Sequence, residues 1–240
     1  MENVYRGKRV LVTGGAGVIG TELIRKLLAF GASVMCADLK PRPKSFPVDM
    51  NYVQGDANHL TPSQIAAFDP QVLFHLAATF ERSVETEDFW DENYIHNLKL
   101  SHHIMTLMKQ APTLQKVVFA SSYLIYDPSL YMFERPQDEP RVLVEDTPIY
   151  PRNICGAAKL LHELELRFLT SFPSASYSAI SARIYRVYGK SSRDIVSRWV
   201  RALIQDPQAT LTVFGEEAMF DYIYAGDVAQ GLLQLGSTQA

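Results

Sequence analysis

The sequence predicts a doubly wound α/β fold, a parallel sheet with helices on both faces and a smaller, partial C-terminal lobe. Three observations carry this expectation. Short apolar, β-branched runs alternate with segments of helical period, a pattern that buries the strands on both faces. The first run passes into the first helix through a glycine-rich loop, Thr13-Gly14-Gly15-Ala16-Gly17-Val18-Ile19-Gly20. The second run ends in an acid, Asp38.

The elements follow in order. Arg9 to Thr13 is a buried strand. Val18 to Phe30 places Ile19, Leu23, Leu27 and Phe30 at helical spacing, and Gly31 stands where a helix C-cap glycine belongs. Ser33 to Ala37 is the second strand. Lys40 to Pro47 holds three prolines and is a loop. Asn51 to Gln54 is a third strand, followed by Gly55-Asp56. Thr61 as N-cap and Pro62 at the first helical position open a short helix to Phe68. Val72 to Leu76 is the fourth strand, Glu87 to Lys109 one long helix, and Lys116 to Ala120 the fifth strand. Asp127 to Pro151 contains five prolines, and a loop of that length is usually functional or disordered. Gly156 to Leu169 is helical, with Leu160, Leu161, Leu164 and Phe168 on one side. Tyr177 to Ile184 is the sixth strand. A helix after Ser191, a short strand near Leu211 to Phe214 and a last helix from about Asp227 complete the chain. The expected division is residues 1–175 as a dinucleotide-binding domain and 176–240 as the last sheet strand plus a reduced lobe.

Composition narrows the function classes. The chain has 240 residues, of which 47% are hydrophobic and 20% charged, proportions of a globular chain rather than a disordered one. With 23 Lys+Arg against 26 Asp+Glu the formal charge is -3, which argues against a general electrostatic grip on nucleic acid or acidic membranes. Cys36 and Cys155 form no CxxC and no disulfide framework. No stretch reaches the ~18 apolar residues of a membrane span, and the polar start lacks the apolar core of a signal peptide. A cytoplasmic protein is expected.

The glycine loop satisfies two registers, Gly15/Gly17/Gly20 and Gly14/Gly17/Gly20. Either allows a tight turn and close backbone approach to a pyrophosphate, which the helix N-terminus then meets with free N–H groups. Asp38 follows Gly20 by 18 residues, close to the spacing of an acid that holds a ribose. Its charge would repel a 2′-phosphate, so NAD is expected over NADP, although Lys40 and Arg42 stand close by.

With these residues the chain resembles the extended short-chain dehydrogenase/reductase family, in its NAD-dependent sugar epimerase/dehydratase branch, a Rossmann-like fold. Thr13 to Gly20 resembles its cofactor fingerprint, Gly55-Asp56 its adenine-contacting pair, and His75-Leu76-Ala77-Ala78 its fourth-strand motif. Asn97, with Ser101 after it, resembles its helix asparagine pattern, although Leu100 stands where glycine is usual. Ser121-Ser122 followed by Tyr126 resembles the catalytic-serine strand. Arg183 to Gly189 resembles RxxNVYG, and Phe220 to Tyr224 leading to Asp227-Val228-Ala229 resembles RDFVYVxDVA. The resemblance implies cofactor contacts from Gly14, Gly17, Val18, Ile19, Gly20, Asp38, Asp56, Ala57, Leu76, Ala77, Ala78, Asn97, Lys159 and Tyr185. It implies substrate contacts from Thr79, Tyr123, Arg186 and Phe220, and a catalytic set of Ser122, Cys155 and Lys159. It also implies a homodimer through the Glu87–Lys109 and Gly156–Leu169 helices.

The departures bear on the chemistry. The family's Tyr-x-x-x-Lys reads Cys155-Gly156-Ala157-Ala158-Lys159 here. Arg186 replaces an Asn and Phe220 an Arg near the expected substrate phosphates. The chain ends at Ala240, whereas family members continue with more of the substrate lobe. Lysine lowers the proton affinity of a neighbouring thiol, but a cysteine is shorter than a tyrosine and must come within hydrogen-bond reach or act through one water. Tyr123, Tyr126 and Tyr150 are the substitutes within reach of the same segment. Against these stand plainer readings: Cys155 as a small buried hydrophobe, the tyrosines as packing aromatics, His75 as structural, and His102 and His103 as a pair that points apart and binds no metal. Three functions remain open: an NAD-dependent epimerase or dehydratase acting on a sugar or sugar nucleotide, a non-catalytic dinucleotide-binding sensor or assembly protein, and a small-molecule NAD(P) reductase or dehydrogenase.

Overall fold

The structure is a computed structural model that describes residues 2–80, 86–133, 135, 137–212 and 221–238. A short helix α1 (Glu2–Tyr5) precedes strand β1 (Arg9–Thr13) and helix α2 (Val18–Ala29). Strands β2 (Ser33–Asp38) and β3 (Asn51–Gln54), helix α3 (Pro62–Phe68) and strand β4 (Val72–His75) follow. Helices α4 (Glu87–Asn93) and α5 (Leu100–Met108), strand β5 (Lys116–Ser122), helix α6 (Ile154–Thr170) and strand β6 (Ser178–Ile184) complete the main layer. The last segment holds β7 (Arg186–Tyr188), α7 (Ile195–Gln205), β8 (Tyr222–Tyr224) and α8 (Ala225–Ser237).

The six strands β1 to β6 pair in the order β3-β2-β1-β4-β5-β6, all parallel. Successive residues of a strand face opposite sides, and the core divides accordingly. Val10 and Val12 pack with Leu23, Ile24 and Leu27 of α2 and Leu232 and Leu233 of α8. Leu11 and Leu73 pack on the other face with Ile65, Ile104, Met105 and Leu166. The order reverses between β1 and β4, so the carboxyl ends of these strands open a crevice where ligands bind in such sheets. Strands β7 and β8 form a separate parallel pair, with Arg186 opposite Tyr222.

Four differences from the sequence reading have physical reasons. The long helix of residues 87–109 is interrupted by a π-helical turn at Tyr94–Lys99, where Asn93 and Asn97 turn buried amides inward. Helix α6 starts two residues earlier than expected, since Asn153 caps it by accepting from the Gly156 N–H. Strand β5 runs on to Ser122 because β6 pairs with it along its whole length, Ser122 opposite Ile184. Helix α1 is too short to show periodicity; Tyr5, fully buried, ties it down by donating to the Leu233 carbonyl at 2.7 Å. Leu211 and Thr212 are irregular. The remainder of the strand expected there, and Phe220, lie outside the described residues. Among the described residues no helix is long and apolar enough to cross a membrane.

Candidate active site

The glycine loop closes on itself. Gly14 has φ +73, and a Cβ there would lie 2.6 Å from the Ala77 nitrogen. A Cβ on Gly20 would lie 2.5 Å from the Gly14 carbonyl oxygen. Glycines of both registers are thus closely packed within the loop. Gly14, Gly17 and Gly20 form the turn, while Gly15 sits where a Cβ would strike Cys36 Sγ and Ile24. Gly17 is the N-cap of α2 and brings no side-chain cap, so the amides of Val18 and Ile19 at the first turn are open to an anion.

Asp38 ends β2 beside this loop and is buried. Its Oδ2 accepts from the Ala16 N–H at 2.8 Å and its Oδ1 from the Lys40 N–H at 2.8 Å. These bonds fix the carboxylate and leave one lone pair on each oxygen for paired hydroxyls. At the next strand end, Asp56 accepts from Asn58 N and Nδ2 at 2.9 and 3.0 Å and caps the turn that holds the buried Ala57.

The end of β4 is braced from inside. His75 is fully buried, with Nδ1 2.6 Å from Thr13 Oγ1 and Nε2 3.0 Å from Ser101 Oγ. Burial, with His162 and Lys159 nearby, holds its pKa well below the ordinary value, so it is a neutral structural bridge. Leu76, Ala77 and Ala78 then pass half-buried beside Gly14, and Ala77 N donates to Thr13 Oγ1 at 3.3 Å. Asn97 clamps the following residue: its Oδ1 accepts from Thr79 N at 2.9 Å and its Nδ2 donates to Thr79 O at 3.1 Å. The same amide donates to Asn93, which donates to the Ile154 carbonyl. The π-helical turn thus ties the β4 loop to the start of α6, a use typical of such turns at functional sites. Thr79 Oγ1 donates to Glu92 Oε1 at 2.5 Å, a partner that only folding reveals.

The three catalytic candidates meet at the carboxyl end of β5. Gly156 lies so close to the turn after Ser122 that a Cβ would be 2.3 Å from the Leu124 carbonyl oxygen. This approach seats the first turn of α6 against β5. Lys159 Nζ donates to the Ala120 carbonyl at 2.7 Å and lies 4.6 Å over the Phe119 ring. Ser122 Oγ accepts from Leu124 N at 3.2 Å. Cys155, 2% exposed, packs among Phe89, Tyr123, Leu124 and Tyr126. The substitute tyrosines have other duties. Tyr123 stacks on Tyr185 at 5.4 Å and meets Tyr131 edge-on. The Tyr126 hydroxyl accepts from Arg183 at 3.1 Å. Tyr150 is largely exposed. Arg186 stands on β7, beyond Tyr185, in the small second sheet.

A half-buried ion pair supports this corner, and its acid stands in register after the lysine in the sequence. Glu163, one turn after Lys159, pairs with Arg183 at 2.9 Å and accepts from Ser121. His102 and His103 do point apart, to Glu165 and to the Leu60 carbonyl, and no group of metal-binding side chains forms among the described residues.

Burial lowers the Lys159 pKa to about 8, against the opposing pull of Cys155 and Glu163. In the unfolded chain it titrates near 10.4. Between those values the unfolded state binds more protons, so this group makes the fold more stable as pH rises. Thermal unfolding followed from about pH 8 to about pH 10 shows wild type gaining stability relative to Lys159→Met; a constant difference across that range contradicts the assignment.

The fold and the site define a class: a doubly wound dinucleotide-binding protein with a serine and a lysine at the carboxyl end of its fifth strand. Comparison with known proteins narrows it. Residues 10–239 match the NAD dependent epimerase/dehydratase family, and the chain belongs to that family. A UDP-glucose 4-epimerase of Corynebacterium glutamicum is 26% identical over 256 residues, covering 97% of this chain and 72% of the relative. The structure of MoeE5 in complex with UDP-glucuronic acid and NAD is similar at a TM-score of 0.78 and 28% identity, covering 97% of this chain and 73% of the other. The NAD dependent NDP-hexosamine 5,6-dehydratase TunA is similar at a TM-score of 0.77 and 26% identity, covering 95% and 71%.

Proposed function

We propose that the chain is an NAD-dependent enzyme of the epimerase/dehydratase kind that acts on a sugar nucleotide. The observation that carries this reading is that Lys159 reaches the end of the strand that carries Ser122, its ammonium donating to the Ala120 carbonyl two residues before it. The residues present fit NAD. The Gly14/Gly17/Gly20 cradle would be filled by any Cβ, and the α2 amides offer donors to the pyrophosphate. Asp38 is fixed with acceptor capacity for the ribose hydroxyls and repels a 2′-phosphate. The dinucleotide, when bound, supplies a reversible acceptor for two electrons.

The chain's own residues handle the rest. The Ser122 oxygen already accepts from Leu124, which leaves its hydroxyl proton to hold the substrate oxygen. Lys159, charged below about pH 8, orients toward the same strand end and favours a deprotonated neighbour. Cys155 occupies the acid–base position and reaches the substrate oxygen through one water. Thr79, Tyr123 and Arg186 border the substrate side, Arg186 bringing a cation for the diphosphate. Incubating wild type with NAD and a panel of UDP- and CDP-sugars, with products read by NMR, tests the proposal. Conversion that falls by about 10²–10⁴ in Ser122→Ala is the expected result; no product from any sugar nucleotide contradicts it.

A second reading has its own observation. The near-complete burial of Cys155 suits a dinucleotide-binding protein without turnover, and the same panel distinguishes the two.

The reading extends to assembly in a reducing, cytoplasmic setting. Trp90 is 63% exposed on α4, and Leu161, Leu164 and Phe168 are 54%, 50% and 62% exposed on α6. Apolar surface of this kind marks an interaction site, and a second copy supplies the matching face. Elution as a dimer at micromolar concentration is expected.

A further inference from the structure

A second built feature lies at the opposite end of the sheet. Lys116 opens β5, only 4% exposed, between Val72 of β4 and Ser178 of β6. Its ammonium donates to Ser178 Oγ at 2.9 Å. Among the described residues no carboxylate faces it, and burial alone pushes its pKa down. The ammonium itself is only partly buried, and a cation so placed is usually met by a counter-charge.

Lys116 lines a cavity of about 360 Å³. Lys8 stands on the same cavity, its ammonium donating to Gln115 Oε1 at 2.9 Å. Val4, Tyr5 and Val72 supply an apolar wall. Two cations and a hydroxyl thus converge on a space with an apolar side. Its size is that of a small-ligand site, and its lining is mixed, polar and apolar in about equal measure. Neither lysine takes part in the dinucleotide site. β5 spans seven residues from Lys116 to Ser122, so its two ends lie about 20 Å apart at the rise of a strand.

We propose that this cavity binds a small organic anion, a carboxylate or phosphate head carried on an apolar body, with Lys116 as the counter-charge and Lys8 as the second cation at its side. The head takes donors from both ammonium groups, and the body lies against Val4, Tyr5 and Val72. The two head chemistries are distinguished by probe: benzoate for the carboxylate and phenyl phosphate for the phosphate, with inorganic phosphate as a head without a body.

The test is calorimetric titration of the whole chain with each probe, in wild type, Lys116→Met and Lys8→Met. Methionine keeps the length of Lys116 and removes an uncompensated charge, so the fold is retained; Lys8→Met probes the same cavity should that variant misfold. The expected result is saturable binding of benzoate or phenyl phosphate, tighter than inorganic phosphate. Affinity falls at least about tenfold in Lys116→Met, in keeping with loss of a charged hydrogen bond, and less in Lys8→Met. NAD affinity is unchanged in both variants. Absence of saturable binding by either organic anion overturns the proposal, as does equal binding in wild type and both variants. The outcome is independent of whether the enzyme turns over a sugar nucleotide.

Discussion

Gly20→Val abolishes NAD binding, with an expected loss of at least about a hundredfold in affinity, while leaving a folded but weakened protein. A Cβ on Gly20 lies 2.5 Å from the Gly14 carbonyl oxygen and 2.6 Å from Gly15 Cα. Both contacts are backbone, so no rotamer relieves them. The loop must open, and the amides that would meet the pyrophosphate diverge. Overpacking of this kind costs about 1–3 kcal/mol, enough to lower the melting temperature without unfolding the chain. The fitting control is Gly231→Ala. Nothing lies within 4 Å of a Cβ there, and the residue is inside α8, so replacing glycine stabilises by about 0.5–1 kcal/mol. Titration of NAD with thermal unfolding reads both. Near-wild-type NAD affinity in Gly20→Val would remove the loop from the account.

Cys155→Tyr raises turnover by about a hundredfold or more, the lower end of what a positioned acid–base group supplies. Tyrosine brings a hydroxyl several ångströms beyond the thiol, into direct reach of an oxygen that Cys155 meets through water. Lys159, one helical turn on, already carries the charge that lowers a phenol's proton affinity. The change also inserts a ring near Phe89, Tyr123 and Tyr126. Its cost in stability is therefore measured beside kcat, and a gain in kcat with a small loss of melting temperature is the expected pair. Unchanged kcat in a variant that still binds NAD would place the proton step on another group.

Much of the architecture was legible because it rests on local rules. β-Branched runs marked the strands, Thr61-Pro62 started α3 with its side-chain cap in place, and Gly31 closed α2 with a positive φ. The parallel run of the sheet followed from the alternation of strands and helices, its strand order came only with the structure, and the glycine loop with Asp38 stood out by spacing. What stayed hidden depends on contacts between distant residues. At the π-helical turn Asn97 reaches Thr79 and Asn93 reaches Ile154, and no periodicity shows that. The Asn153 cap is of a residue type that caps helices, yet the helix was read from Gly156, two residues late. The Glu163–Arg183 pair spans 20 residues and two elements. The burial of Cys155 was open in the sequence, since a cysteine in a family tyrosine position reads equally as reactive or as packing. Lys116 drew no reading from the sequence beyond opening the fifth strand, since β4 and β6 close around it only in the fold.

The most direct measurement is rapid mixing of the NAD-loaded wild-type protein with a UDP-sugar while following the near-ultraviolet absorbance of reduced nicotinamide. The account predicts a rise that depends on the sugar nucleotide and is absent in Ser122→Ala. Stoichiometric NAD binding with no absorbance change for any sugar nucleotide would contradict it and leave a protein that holds the dinucleotide without using it.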